Sequence, residues 1–412
     1  MVTTEAWVID PAALKFRQGK AENEAEVVTT EAWVIEAAAD DARELEPAEL
    51  RKEVYSFPDI TEYEVLAEPI YGCWEGNMTH AIQRSPVDVC RQRGEKKIVI
   101  GNAGVVRILK VGSSVTNVKE GDLCLFAAVG TTDQFGYLIK VVGYDARDTI
   151  GLLAKRIKLH EKQVIPLPKD SKLSAQQWAA FSLRYTTAWA NWKVAYGCWR
   201  LQMPEDLQPV PFVWGWGGGV TLAELTLAKY FGCQVAMMAS DDERLKLIQS
   251  LGIKAIDRRQ FSNLDFDEKR VRTDSAYRRL YRESEKTFLQ LVKEDTGGLG
   301  ASIFIDNIGK PVFRATMKAL ARQGVITTVG WKKGMDLSVI RATECINHHV
   351  HVFSHGARYF EGVASIAFAE QTGWAPPVTD VVCSWDNIPQ LAEDCATDKN
   401  TDYFPLYQVN PL

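Results

Sequence analysis

The chain has 412 residues, 46% of them hydrophobic and 25% charged, with a formal net charge of -5. That length and balance suit a globular protein with two separate cores and exclude disorder as the default state, while the acidic excess leaves no broad basic surface for a nucleic-acid backbone. Its eight cysteines stand singly, without a CxxC pair, and read as reduced thiols and not as a disulfide scaffold or structural zinc lobe.

The opening MVTTEAWVIDPAALKF has no basic stretch leading into an apolar one, and nowhere do about 18 apolar residues run together. A cytoplasmic protein without a membrane partner is expected. VTTEAWVI occurs at 2–9 and again at 28–35. Two like strands, or a tandem duplication with one copy as an extension, both fit its β-branched and aromatic content. From about 28 to 170, EVYSFPDI, YEVLAEPIYG, KKIVIGNAGVVRILKVG, EGDLCLFAAVG and RIKLHEKQVIPLP alternate short apolar runs with turn residues, the pattern of a partly open β-barrel. After Pro166 and Pro168 comes a helical stretch, LSAQQWAAFSLRYTTAWANWKVAYG.

From about 186 the rhythm becomes strand, helix, strand. PFVWGW, CQVAMMAS, ASIFIDNIG, GVITTVGW and HVHVFSH are the expected strands, with TLAELTLAKYF, DERLKLIQSLG and VFRATMKALARQG among the helices between them. Apolar strands alternating with amphipathic helices predict a parallel sheet covered on both faces, so the fold class is α/β. Residues 266–295 read as a solvated helical insertion, and the piece from VVCSWDNIPQ onward as a return to the first unit. The expected division is 1–185, 186–360 and 361–412.

PFVWGWGGGVTLAELTLAKYFG, at 211–232, is a strand, a glycine knot and a helix. Bare backbone at such a turn lets a pyrophosphate reach the free N–H groups of the helix, which assigns Gly215, Gly217, Gly218, Gly219 and Val220 to a dinucleotide. Thr221 stands where such loops carry their last glycine; it predicts a small outward shift of the helix and can also act as a cap. Gly309, in FIDNIG, joins the same cofactor-binding set. An NAD-specific site places an acid at the end of the second strand, but MASDDER has Ala239 there, then Ser240 and Arg244, with Arg258 and Arg259 farther on. These favour a 2′-phosphate, and so NADPH, against repulsion from Asp241 and Asp242.

A β-rich unit, a dinucleotide unit opening with VWGWGGG and a short return together resemble the medium-chain dehydrogenase/reductase superfamily over nearly the whole chain. The resemblance implies a GroES-like barrel for substrate and a Rossmann doubly wound sheet for cofactor. Zinc alcohol dehydrogenases of that superfamily use a Cys and a His early in the β-rich unit, but Asn102, in IVIGNAGVV, takes the place of that His. Cys73 and His80 then fall short of three protein ligands, so no metal is expected.

SDDERLKLIQSLGIKAIDRRQF, FIDNIGKPVF and VHVFSHGARYFEG carry a closer resemblance, to crotonyl-CoA carboxylase/reductases and related enoyl-thioester reductases. It implies NADPH-dependent reduction of an α,β-unsaturated acyl thioester on CoA or acyl carrier protein, with or without carbon dioxide, in a homo-oligomer paired near residue 350. The carboxylating relatives hold carbon dioxide with an Asn, a Phe-Glu-like pair and a His, which match Asn77, Tyr144 with Asp145, and His355. Asp145 is one methylene shorter than the family's Glu, and His80 takes an aromatic residue's place, which favours simple reduction over carboxylation.

Taken alone, Asn77 also suits a cap on MTHAIQ, Asp145 a surface pair with Arg147, and His355 a structural position at a strand end. His349 and His351 share a face of the expected strand and read as a strand-edge cluster. Trp178, Trp189, Trp192, Trp199 and Trp214 suit a core, whereas Trp216 projects beside the expected nicotinamide. A zinc-free quinone, ketone or aldehyde reductase and a non-catalytic NADPH-binding protein are the other readings.

Overall fold

The computed structural model describes residues 26–39, 45–330, 336–353 and 356–412. The first part contains β1 (Val27–Glu36), β2 (Arg51–Pro58), β3 (Glu64–Cys73), α1 (Gly76–Gln83), α2 (Val89–Arg93), β4 (Lys97–Ile98), β5 (Gly104–Val111), β6 (Leu123–Phe126), β7 (Val129–Thr132), β8 (Leu138–Val141), β9 (Ile157–His160) and β10 (Val164–Pro166). Helices α3 (Ala175–Phe181) and α4 (Arg184–Gln202) lead to β11 (Phe212–Trp216), α5 (Gly219–Tyr230), β12 (Gln234–Ala239), α6 (Asp242–Ser250), β13 (Lys254–Asp257), α7 (Glu268–Thr273), α8 (Ser275–Asp295), β14 (Ala301–Asp306), α9 (Lys310–Ala319), β15 (Leu320–Thr327) and β16 (His351–Phe353). The chain closes with α10 (Tyr359–Thr372), β17 (Val382–Cys383), α11 (Ile388–Ala396) and β18 (Leu406–Gln408).

The β-rich part is built around β3, which pairs antiparallel with β5, β9 and β18, in a sheet ordered β10-β6-β5-β3-β18-β17. Its apolar residues Val65, Ala67 and Ile70 are fully buried, the first two in one hydrophobic core and the third in another. The second copy of the repeat forms β1, which lies between β2 and β4; the copy at 2–9 lies outside the described residues.

The second sheet is wholly parallel, ordered β13-β12-β11-β14-β15-β16. Strand order reverses direction at β11 and β14, which opens a crevice beyond their carboxyl ends. This is the α/β architecture expected, with KAID as an additional strand, β13, beyond the five legible ones.

Helix α8 corrects the picture of a solvated insertion. Tyr281, Phe288 and Val292 lie on one stripe and are buried, while Arg279, Arg282 and Glu283 face solvent. That stripe covers a face of the parallel sheet: Phe288 stacks on Trp216 at 5.0 Å between ring centres and meets Trp214 edge-on. Trp178, Trp192, Trp199 and Trp214 fill cores as their spacing suggests. Among the described residues, no helix is long and apolar enough to cross a membrane.

Candidate functional site

The glycine loop sits where the sheet order reverses. Gly217 has φ +148°, a conformation that L side chains rarely adopt, and its trace turns β11 into α5. A Cβ on Gly218 would meet nothing within 4 Å, so its backbone faces open space. Gly219 differs: a Cβ there would lie 2.7 Å from Arg184 Cδ and 2.8 Å from the carbonyl oxygen of Tyr403. Its bareness serves packing between elements.

Thr221 is fully buried, and Gly215 makes room for it: a Cβ on Gly215 would lie 2.7 Å from the Thr221 methyl. The Thr221 hydroxyl donates to the carbonyl of Trp216 at 3.3 Å and accepts from Asn307 Nδ2 at 3.0 Å. It therefore braces the loop from beneath and does not cap α5, whose N-cap is Gly218. Asn307 also accepts from Val329 N at 3.0 Å through Oδ1, and its own N–H donates to the Trp216 carbonyl at 3.1 Å. One residue thus ties together the ends of β11, β14 and β15.

Asp306, fully buried at the end of β14, holds the next turn. It accepts from Ile308 N, Gly309 N and Thr316 Oγ1, and burial pushes its carboxyl upward against those bonds. Gly309, at φ +92°, is the N-cap of α9. Trp216 borders the loop, but its ring is 3% exposed and stacks inward on Phe288, so it is core and does not project towards a nicotinamide.

Beyond the loop lies a cleft of about 630 Å³. Gly217, Gly218, Ser240, Arg244, Arg258 and Tyr403 are among its walls. Asp241 spends its carboxylate as the N-cap of α6, accepting from Arg244 N at 3.0 Å, and Asp242 is paired with Arg259 at 2.6 Å. Arg259 also pairs with Asp257 at 2.8 Å. Arg244 donates through Nε to the Thr401 carbonyl at 2.6 Å and lies over the Tyr403 ring. Arg258 lines the same cleft, and among the described residues its guanidinium has no hydrogen-bond or ion-pair partner. The cleft fits a dinucleotide: its walls include bare backbone at a helix start and a guanidinium without a partner among the described residues, which can receive a phosphate.

The substrate-side residues part company. Asn77 lies in the first turn of α1, whose N-cap is Glu75, so it does not cap MTHAIQ; its Oδ1 is buried without a partner. Asp145 accepts from Val141 N at 2.7 Å and pairs with Lys140 at 3.2 Å, whereas Arg147 pairs with Asp148. Tyr144 beside it is 8% exposed, and burial pushes its phenol up to about 12. His355 lies outside the described residues. His349 precedes β16 with φ +55° and so does not share a strand face with His351, whose Nε2 is 2.9 Å from Gln202 Oε1.

Sequence reasoning missed a buried cluster at the end of β3. Arg184, first residue of α4, donates through Nε to Glu75 Oε2 at 3.1 Å, through one NH₂ group to Cys73 Sγ at 3.3 Å and the Tyr403 carbonyl, and through the other to the Trp74 carbonyl at 2.6 Å. Burial raises Glu75 to about 7 and Cys73 to about 12 although Arg184 pulls both down. Partners 109 and 111 residues apart leave no local signal. These residues do not fit zinc. A guanidinium already engages both candidate ligands, Glu75 and Cys73, Asn102 brings an amide in place of an imidazole, and among the described residues no three His, Cys, Asp or Glu side chains group to hold a metal.

Residues 219–361 match the zinc-binding dehydrogenase family. A quinone oxidoreductase-like protein 2 homolog from Nematostella vectensis is 26% identical over 247 residues, 59% of this chain and 53% of that protein. A crotonyl-CoA reductase from Streptomyces avermitilis is 25% identical over 247 residues, 57% of this chain and 52% of that protein. The chain spans about half the length of these curated relatives. A crotonyl-CoA carboxylase/reductase solved in complex with NADP superposes with a TM-score of 0.76 at 20% identity, over 93% of this chain and 95% of that one.

Proposed function

We infer, for a chain with the medium-chain dehydrogenase/reductase fold, an NADPH-dependent oxidoreductase that reduces an α,β-unsaturated acyl thioester. The observation that carries this reading is the cleft beyond β11, whose walls include the open backbone of Gly218 and, unpartnered among the described residues, the guanidinium of Arg258, groups suited to a pyrophosphate and a 2′-phosphate. Bound NADPH supplies a hydride; the chain's residues bind, orient and exclude water. Gly217, Gly218 and the N–H groups that open α5, Gly219 and Val220 among them, receive the pyrophosphate. Ser240 and Arg258 receive the 2′-phosphate, with Arg244 held beside them by Thr401 and Tyr403. Thr221 and Gly309 shape the loop and the neighbouring turn.

On the substrate side, Asn77 carries a buried acceptor with no partner among the described residues, which suits a group that meets ligand. His355, by the family resemblance, is proposed as its counterpart. Asp145 is committed to the turn that follows β8 by two bonds, to Val141 N and Lys140, and Tyr144 is buried with it. That commitment supports plain reduction over carboxylation. The thioester is proposed to ride on CoA or acyl carrier protein.

Following NADPH absorbance with crotonyl-CoA, with and without bicarbonate, tests the reading. Equal consumption in both is the expected result, and consumption that requires bicarbonate would shift the assignment to carboxylation. The likeness to a quinone oxidoreductase-like protein favours a second reading, a zinc-free quinone or carbonyl reductase. It is supported if quinones are reduced while crotonyl-CoA is ignored.

A further inference from the structure

A cation buried at a helix N-terminus is doubly disfavoured, by lost hydration and by the positive end of the helix dipole. Arg184 stands in that position as the first residue of α4, 8% exposed, and four hydrogen bonds, to the side chains of Glu75 and Cys73 and to two backbone carbonyls, offset the cost. Two of its partners, Cys73 and Glu75, are the side chains at this end of β3 that could ligate a metal. Cys73 N donates to the Ala103 carbonyl at 3.0 Å, which brings Asn102, the residue in place of a zinc-enzyme His, to the same strand end. Both side-chain polar atoms of Asn102 are buried without partners.

We propose that the guanidinium of Arg184 takes the place of a metal ion at the end of β3 and, through its contacts, positions the nucleotide helix against the substrate-binding unit. Arg184 is a positioning residue: it reaches neither the cleft nor a reacting atom. Its planar fork links Glu75 and the Trp74 carbonyl of the β-rich part, through Nε and one terminal NH₂ group, with Cys73 and the Tyr403 carbonyl, which share the other. The aliphatic part of the same side chain packs where a Cβ on Gly219 would fall, 2.7 Å from Arg184 Cδ, and the ring of Phe404 closes the seat at 2.9 Å. Gly219 opens α5 and follows Gly218, which faces the cleft. A shift of the guanidinium therefore moves the start of the helix that is to hold the pyrophosphate.

The metal half of this inference stands without any cofactor reading; the positioning half rests on the proposed NADPH site. The test has two arms. In the first, the whole chain is incubated with zinc, desalted and analysed for bound metal. The wild type is expected to retain under ~0.1 zinc per chain, and the double variant N102H/R184C about one, through a Cys, His, Cys and carboxylate set. Zinc held by the wild type at about one per chain and lost on C73S overturns the proposal.

In the second arm NADPH is titrated into wild type, R184M and R184K. R184M is expected to bind roughly tenfold more weakly, with R184K, which keeps charge but loses the fork, between it and the wild type. Unchanged affinity in a folded R184M contradicts positioning. Should R184M not fold, G219A disturbs the same contact while leaving the ion pair, and unchanged affinity there contradicts it equally. A wild type that binds no NADPH defeats the cofactor reading instead and leaves the zinc arm to decide the metal half.

Discussion

Asn307 Nδ2 donates to Thr221 Oγ1 across 3.0 Å, joining the turn after β14 to the helix that follows the glycine loop. A hydroxyl in the place of a glycine is what makes this bond possible. Replacing Thr221 by Val keeps the shape but strands the Asn307 donor and frees the Trp216 carbonyl of one bond. A loss of about 1–3 kcal/mol in chemical denaturation is expected. Stability equal to the wild type would show that the brace carries no weight.

Gly217 cannot accept a side chain without strain. Its φ of +148° suits glycine, and a Cβ would fall 2.3 Å from Thr221 Oγ1. Gly217→Ala is expected to cost about 1–3 kcal/mol and to weaken nucleotide binding, because the loop must reshape to relieve both. Gly218→Ala, with open space around its Cβ, is expected to leave stability within ~0.5 kcal/mol while still obstructing ligand. Thermal melts of the two variants, each with and without NADPH, separate these effects.

Of the three cleft arginines, Arg258 is the one whose guanidinium has no partner among the described residues, whereas Arg259 is bound to Asp242 and Asp257, and Arg244 to Thr401. Arg258→Ala is expected to weaken NADPH binding roughly ten- to hundredfold, the worth of a charge-assisted bond of about 1.5–3 kcal/mol, with NADH little affected. Arg259→Ala is expected to change discrimination by less than about threefold. Equal losses for both cofactors would show that Arg258 does not read the 2′-phosphate.

Glu224, fully buried on α5, accepts from Thr327 Oγ1 at 3.1 Å and from Asn191 Nδ2 at 3.4 Å. Burial raises its carboxyl to about 8, against the pull of those bonds. Because the folded state holds this proton more tightly than the unfolded chain, the contribution is complete below pH ~4.5 and is lost as pH rises towards 8. Denaturation between pH 5 and pH 8 should therefore show stability falling with pH, and E224Q should flatten that fall. An unchanged slope in E224Q would assign the pH dependence elsewhere, Glu75 being the next candidate.

The strand, glycine loop and helix at 211–232 were legible because their signal is local: an apolar run, residues that tolerate φ > 0, then helical periodicity. Strand β13 was not, since KAID has four residues and a charge at each end, and only its register beside β12 makes it a strand. In α8 the buried stripe of Tyr281, Phe288 and Val292 was hidden among charges that dominate the composition. His349 and His351 alternate as a strand pattern would, but the positive φ at His349 turns the chain before β16 begins. Arg184 and Glu75 meet only through the fold, so no spacing rule reaches them. Ser240 and Arg258 were singled out for their chemistry near the end of β12, and both line one cleft.

The central claim is that the crevice beyond β11 takes a phosphorylated dinucleotide. Calorimetric titration of the whole chain with NADPH and then NADH tests it most directly. The account predicts one NADPH site per chain, with affinity at least about tenfold above that for NADH. No heat with either nucleotide, or a preference for NADH, would contradict it.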